Sequence, residues 1–429
     1  MTNWKKWFCF LCVLGAFLVW GSFDRTWAGE KELIELLIKK NIITQGEADQ
    51  LLKESESNAQ KKKMEIKKEV KAEVQEEIKK EADKGDLLPP ALRGFKFGTT
   101  IFGEWNFLDR AAGTNTNQFA LNRAYVTLTK DFNSWLGMNF TSDLFTAKDP
   151  DDVNNGFELR IKYAFISLKL LGTESLLGLT LTPSDYYDSA IWPYRVQGKN
   201  LLDDLGIQST ADLGVANRGV FGGYMDDDYL KYAARPFSGK WGGYMVGVYN
   251  GSGFDTAENN NNKVLSGLVY VRPFPMFPIL KGLQLAYTGT YGESNTSFAP
   301  GSGPVTSFPS WQVNIGQISL QHPYFTIMGQ YYWGKGTKAS NEENDRKGYL
   351  VSGFLRIPSF EKLRVFSKWY YYDPNTNRSD DERNVYVAGL SYDLTREFMP
   401  FVAWERLDGG ANSGLVDSNK YQLGFQLKF

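Results

Sequence analysis

From residue 94 to the C-terminus, apolar and polar positions alternate in short runs separated by turn-forming residues. The final run is the cleanest. Tyr421, Leu423, Phe425, Leu427 and Phe429 share one parity, and Lys420, Gln422, Gly424, Gln426 and Lys428 share the other. Successive side chains of a strand point to opposite faces, so the apolar set must meet either a protein core or lipid. The pattern predicts sixteen strands, over residues 94–107, 118–130, 135–147, 157–169, 176–185, 213–237, 241–250, 263–273, 282–292, 310–321, 324–333, 347–358, 362–373, 384–395, 398–408 and 419–429. The sixth is irregular around Asp226-Asp227-Asp228, where two shorter pieces are the alternative. Fourteen or eighteen strands are the alternatives to the whole count.

The connectors alternate in length. Those after odd strands include Thr114 to Asn117, Lys148 to Asp152, Asn259 to Asn262, Gly301 to Gly303 and Asn341 to Asn344. Those after even strands are mostly tight, such as Asp131 to Ser134, Ser238 to Lys240, His322-Pro323 and Arg396-Glu397. Long outer loops, short periplasmic turns and an even strand number with both chain ends in the periplasm characterise a transmembrane antiparallel β-barrel. The expected fold class is therefore all-β, with the barrel over 94–429.

Residues 29–85 follow a different period. They contain no aromatic residue, are dense in Lys and Glu, and place Leu33, Leu36 and Leu37 on one side of a short helix. Thr44-Gln-Gly-Glu47 reads as a capping box opening a second helix. Further on, Ile66, Val70, Val74, Ile78 and Ala82 form a thin apolar line that a single helix cannot bury, which predicts a periplasmic coiled coil. The spacing drifts from strict heptads, so a solvated spacer helix is the alternative. Residues 86–93 form a linker, because Pro89 and Pro90 cannot continue a helix.

Ahead of this segment, Lys5 and Lys6 precede an apolar stretch from Trp7 to Trp20, and Thr26-Trp27-Ala28 supplies a small-residue cleavage site. The stretch is shorter than the roughly 20 residues of a membrane-spanning helix, so residues 1–28 read as a signal peptide. Cys9 and Cys12, the only cysteines, lie inside it. A lipoprotein signal ending at Cys12 is disfavoured by the bulky Phe10 and Leu11 before it.

Composition fits this reading. An aromatic content of 15% with 23 Tyr and 42 Gly is unusual for a soluble domain. A mean hydropathy of -0.37 is no objection, because barrel strands average a lipid-facing and a lumen-facing set. The formal charge of -1 excludes a whole-chain basic field and gives no argument for nucleic acid.

Ending on an aromatic residue after such a strand resembles bacterial outer-membrane barrels, which implies recognition of Phe429 by the barrel-assembly machinery. Inside the barrel region, Asn122-Arg-Ala-Tyr-Val-Thr-Leu-Thr-Lys130 with Asp131-Phe132 resembles the second strand and turn of the phosphate-selective porin O and P family. Val248 to Gly253, the Asn259 to Lys263 run and Arg272-Pro273 are similar to that family's Asn-Gly loop. The helical segment behind a signal peptide matches the extension of some members. The resemblance spans nearly the whole mature chain. It implies a sixteen-stranded homotrimer in outer-membrane lipid that passes small anionic solutes such as phosphate; no cofactor or metal is expected. The chain departs from the family's dense arginine ladder and lysine cluster, since its bases are scattered.

Parity selects the lumen set. Ala124, Val126 and Leu128 face lipid on the second strand and turn Arg123 and Tyr125 inward. Leu159, Ile161, Tyr163 and Phe165 face out on the fourth, with Glu158, Arg160 and Lys162 facing in. Outward Tyr349, Val351, Leu355, Leu363 and Val365 put Arg356, Arg364 and Lys368 inward, and Arg218, Arg235 and Arg272 have inward-compatible parity. Such cations lower the barrier for an anion through charge-assisted hydrogen bonds; pairing with Glu104, Asp143 or Glu158 is the alternative. The longest connector, Tyr186 to Asp212, carries Ile191 to Tyr194 and Leu201-Leu202 and is the candidate constriction loop. Its Arg195 and Lys199 are opposed by Asp203 and Asp204.

Aromatic clusters at Trp105 and Phe107, Tyr331 to Trp333 and Trp369 to Tyr372 read as interfacial girdles, with a sugar-binding track as the alternative. No enzyme is expected, because hydrolase or zinc chemistry would rest on the single His322, in a turn beside Pro323. A structural tether between outer membrane and cell wall is compatible with the helices.

Overall fold

The structure is a computed structural model that describes residues 93–146, 156–230, 233–297 and 308–429, together with a few residues between 39 and 50. The expected signal peptide and the apolar line from Ile66 to Ala82 lie outside the described residues. Of the helical region, one predicted feature is described. The Thr44 backbone N–H donates to Glu47 Oε2 at 2.8 Å, and the Glu47 N–H donates to Thr44 Oγ1 at 3.4 Å, the reciprocal bonds of a capping box.

Gly94 to Phe429 forms a closed barrel of sixteen antiparallel strands. They are β1 (Phe95–Arg110), β2 (Thr116–Asp131), β3 (Leu136–Thr146), β4 (Phe157–Leu170), β5 (Thr173–Leu181), β6 (Ala211–Phe221), β7 (Gly242–Tyr249) and β8 (Val264–Val271). The second half comprises β9 (Leu283–Glu293), β10 (Ser310–Gln321), β11 (Phe325–Lys335), β12 (Asp345–Ile357), β13 (Phe360–Asp373), β14 (Arg383–Tyr392), β15 (Phe398–Gly409) and β16 (Ser418–Lys428). Each strand pairs with its chain neighbours, and β16 closes on β1. At that seam Gly103 leaves room for the Phe425 ring, whose atoms lie 2.7 Å from where a Cβ would sit. The Phe429 N–H donates to Thr99 O at 3.0 Å, and the Thr99 N–H returns a bond of 2.8 Å, so the last residue completes the sheet.

The outer surface carries the predicted apolar set. Val126, Leu159, Ile161, Tyr349, Val351, Leu355 and Val365 are all exposed on it, which a water-facing surface would not sustain over this extent. One set of aromatic residues collects toward the end of the barrel away from the chain termini. Tyr331 stacks on Trp333 at 5.3 Å and on Tyr349 at 5.1 Å, and Tyr349 meets Tyr371 at 5.9 Å. Tyr332, Tyr370 and Tyr372, with the opposite parity, are buried inside. The Tyr331 to Trp333 and Trp369 to Tyr372 clusters are thus each divided between the two faces.

Turn chemistry sets the terminal end of the barrel, where β1 begins and β16 finishes. Leu171 and Gly172 connect β4 to β5 with φ of 52° and 76°, the positive pair that a two-residue hairpin of the right twist requires. In the turn before β3, Asn133 Oδ1 accepts from the N–H groups of Trp135 and Leu136 at 3.0 and 2.7 Å.

Three expectations are corrected. The fifth strand ends at Leu181, and residues 183–185 belong to a helix. The predicted sixth strand, 213–237, is β6 only to Phe221; beyond it come a short helix, Asp227–Leu230, and a 3-10 turn, Arg235–Phe237. Asp226 Oδ1 accepts the Tyr229 N–H at 2.7 Å, so the acidic run starts a helical turn rather than extending a ladder. Third, Tyr163 and Phe165 point inward. Thr141 pairs with Tyr163 and Ser142 with Ile161, leaving Lys162 unpaired in a bulge that reverses the parity of β4 beyond it.

Candidate functional site

The connector between β5 and β6 does not run over the barrel rim but through its interior. It opens with α1 (Pro183–Ile191), where Pro183 presets the first helical turn, and later forms α2 (Leu201–Asp204). Ile191, Trp192, Tyr194, Leu201 and Leu202 are buried, each contributing about 1.5–3 kcal/mol of apolar burial. Tyr194 stacks on Phe366 of β13 at 4.1 Å, and Trp192 meets Phe366 edge-on at 6.2 Å.

Polar contacts fasten the same segment to the wall formed by β9 to β16. The Tyr187 hydroxyl bonds Ser319 Oγ at 2.9 Å, and the Tyr194 hydroxyl bonds Ser391 Oγ at 2.9 Å. Asp188 Oδ1 accepts from Gln330 at 2.6 Å and Gln317 at 3.1 Å. Gln197 Nε2 donates to Glu405 at 2.7 Å, and Lys368 Nζ donates to the Lys199 carbonyl at 3.4 Å. Asp204 accepts from the Tyr370 hydroxyl and pairs with Arg383 at 3.3 Å. Among the described residues, no hydrogen bond joins this segment to β2, β3 or β4. Open space remains on that side, in a cavity between Asn139, Tyr163 and Phe165 on the wall and Asp185, Tyr186 and Ser189 on the segment.

Of the sequence-selected cations, Arg218 lines this cavity, and three others lie on β2 and β4 of the same wall. Arg123 and Arg160 both bond Asp143 Oδ2, at 3.1 and 2.9 Å, and Asp143 is fully buried. The Arg160 guanidinium lies 4.0 Å from the Phe145 ring and 4.6 Å from Phe254, and reaches Asp255 at 3.5 Å. Lys162 is only 5% exposed, and its Nζ donates to the Tyr125 hydroxyl at 3.2 Å. It has no carboxylate partner among the described residues. On the opposite side, Arg195 sits 3.6 Å from Asp185 and 3.1 Å from Asp203, with Lys199 3.9 Å from Asp203.

Two carboxyl groups of the inner segment have displaced acidities. Burial would raise Asp203, but Arg195 and then Lys199 outweigh it and hold the group below its ordinary value. Asp188 goes the other way. Burial pushes it up to about 7, although Gln330 and Gln317 donate to it.

The other selected residues, Arg218 apart, lie elsewhere. Arg218 pairs with Glu174 at 2.6 Å and stands 5.1 Å from the Tyr186 ring. Arg356 and Arg364 are directly opposed between β12 and β13; Arg356 donates to the Pro323 carbonyl at 3.0 Å, and Arg364 pairs with Asp393. Lys368 is buried beneath the inner segment. Arg272 is a correction: it does not line the lumen but is 1% exposed, donating to Tyr229 at 2.8 Å, Lys281 O at 2.6 Å and Phe237 O at 2.9 Å. It falls one residue past the end of β8, where strand parity no longer sets direction. There it clamps the β6–β7 connector to the β8–β9 connector. Arg235 likewise lies in the 3-10 turn rather than in a strand.

Sequence reasoning passed over Tyr163, Phe165, Asp185 and Asp188. The first two were hidden by the bulge. Asp185 falls at the end of the predicted fifth strand, and Asp188 carried no signal beyond its place in a long connector.

No family model matches the chain, and no curated protein sequence matches it significantly. Solved structures do. OprB of Pseudomonas putida superposes with a TM-score of 0.54 at 10% identity, covering 78% of this chain and 94% of that one. The outer-membrane channel DcaP of Acinetobacter baumannii gives 0.51 at 10% identity, covering 78% and 97%. An anion-selective porin from Comamonas acidovorans gives 0.50 at 13% identity, covering 78% and 99%. At such identities the likeness establishes the fold, that of outer-membrane porin barrels.

Proposed function

We propose that this chain is an outer-membrane porin through which small hydrophilic solutes diffuse passively, with a preference for anions. The observation that carries the reading is the inner segment fastened across the lumen, which leaves a passage along the cation-bearing wall of β2 to β4. Segment 182–210 acts as the constriction, and Arg123, Arg160 and Lys162 supply positive potential to it. Asp143 serves two arginines, Asp255 is shared by Arg160 and Lys338, and Lys162 has no carboxylate partner among the described residues, so the cations here outnumber the carboxylates paired with them. Arg195 and Lys199 face it, moderated by Asp185 and Asp203. The preference is therefore moderate, as a general anion porin would have. A narrow phosphate specificity finds less support, because the bases form no continuous ladder. Two structurally similar proteins, an outer-membrane channel and an anion-selective porin, support the reading.

The same reading places the terminal end of the barrel in the periplasm and makes Phe429 the residue presented to the assembly machinery. The barrels would associate as homotrimers, with the segment 29–85 as a periplasmic coiled coil; no catalysis is assigned. Liposome swelling tests the channel. Liposomes carrying the protein should swell in small sugars and salts and stay intact in large oligosaccharides. Absence of swelling in any solute would overturn the reading.

A further inference from the structure

The bulge at Lys162 makes a surface that a simple water-filled pore does not need. By reversing the parity of β4, it turns Tyr163 and Phe165 from the lipid side to the lumen, where they meet Leu181 and Tyr186 around an open cavity of about 340 Å³. Its polar walls carry paired charges, since Arg218 is held by Glu174 at 2.6 Å and Asp185 sits 3.6 Å from Arg195, which Asp203 shares at 3.1 Å. The uncompensated charge is not in the lining but beside it, on Lys162. Lys162 Nζ lies 5.5 Å from the centroid of the Tyr163 ring and 4.9 Å from that of Tyr125, with Phe254 at 5.9 Å. An ammonium ringed by aromatic faces and 5% exposed has little water left to lose when an anion approaches.

We infer that this cavity is a binding site for small aromatic carboxylates on their way through the channel, the ring lying among Tyr163, Phe165 and Tyr186 and the carboxylate on Lys162. This deepens the porin reading and rests on it. Size and charge agree. A cavity of roughly 150 Å³ holds benzene, so the one here admits a ring with a polar substituent. Aromatic pairs in offset or edge geometry add attraction beyond area burial. An inorganic anion would use only Lys162 and would leave the aromatic walls facing water. A neutral aromatic would use only the walls.

The test uses the full-length protein in planar bilayers at low salt, with benzoate, acetate and benzyl alcohol as probes. Benzoate should block the ion current saturably, at a concentration about tenfold or more below that for acetate or benzyl alcohol, the factor that one good contact supplies. Lys162→Gln and Tyr163→Thr should each abolish that advantage, while Tyr163→Phe keeps it. Heat-modifiable gel mobility verifies that each variant is folded. Equal block by benzoate and acetate, or a benzoate block untouched by both substitutions, would overturn the site. Calorimetric titration of benzoate into detergent-solubilised protein separates the two claims. Binding lost in both variants, together with no conductance at all, would uphold the site and sink the porin reading.

Discussion

Replacing Asp188 by Asn isolates what holds the inner segment in place. The carboxyl is buried in α1, with Asp185 and Arg195 as its nearest charged influences and Gln317 and Gln330 donating to it. Its acidity is pushed from 3.8 to about 7, mainly by burial. The sign follows from proton binding. Between about pH 4 and 7 the folded state keeps a proton that the unfolded segment releases, so attachment weakens as pH rises through this window and stays weaker above it. One pKa unit is worth 1.36 kcal/mol, which sets a ceiling of about 4 kcal/mol for the effect above pH 7. Asn can accept one of the glutamine hydrogen bonds and never ionises. The variant should therefore match the wild type near pH 4 and hold the segment more tightly at pH 8, by about 2–4 kcal/mol. Hydrogen exchange of peptides from 183–191, corrected for intrinsic rates, measures the opening free energy directly. Wild-type protection that is flat from pH 4 to 8, or a variant less protected at pH 8, would refute the reasoning.

Other outcomes follow from the same contacts. Arg272→Ala strips a buried donor from Tyr229 and three carbonyls, each left unpaired at about 1–3 kcal/mol, so thermal stability should fall while ion selectivity stays unchanged; altered selectivity would restore it to the lumen. Asp143→Asn removes the carboxylate shared by Arg123 and Arg160 and should increase anion preference at low salt, read from reversal potentials, at a stability cost of about 3–5 kcal/mol for breaking a buried pair. Leu171→Asn places a residue tolerant of positive φ in the β4–β5 hairpin and should raise the unfolding temperature slightly; a drop would argue against that turn geometry.

The barrel was legible because a strand between lipid and lumen must alternate, and Tyr421 to Phe429 shows that alternation without interruption. The connector pattern was legible for the same reason: Asn and Asp runs mark far-end loops, and His322-Pro323 a tight turn. Prediction failed where parity ceases to govern. The bulge at Lys162 has no sequence mark, since a single unpaired residue changes every later side of β4 without altering composition. Asp226 to Leu230 reads as well for a strand end as for a helical turn, and only Asp226 capping Tyr229 decides it. At the pore, the cations were visible as residue types but not their partners. Asp143 was visible as a candidate counter-ion, but that it holds two arginines at once is set by the register of β2, β3 and β4.

The central claim, a diffusion channel biased toward anions by the wall of β2 to β4, is tested most directly by the reversal potential of single channels in a KCl gradient. The account predicts a potential displaced toward the chloride equilibrium value, shrinking as ionic strength rises and screening shortens to a Debye length of about 8 Å or less. Arg160→Glu should move it toward the potassium value. A wild-type channel already selective for potassium, and unmoved by Arg160→Glu, would contradict the account.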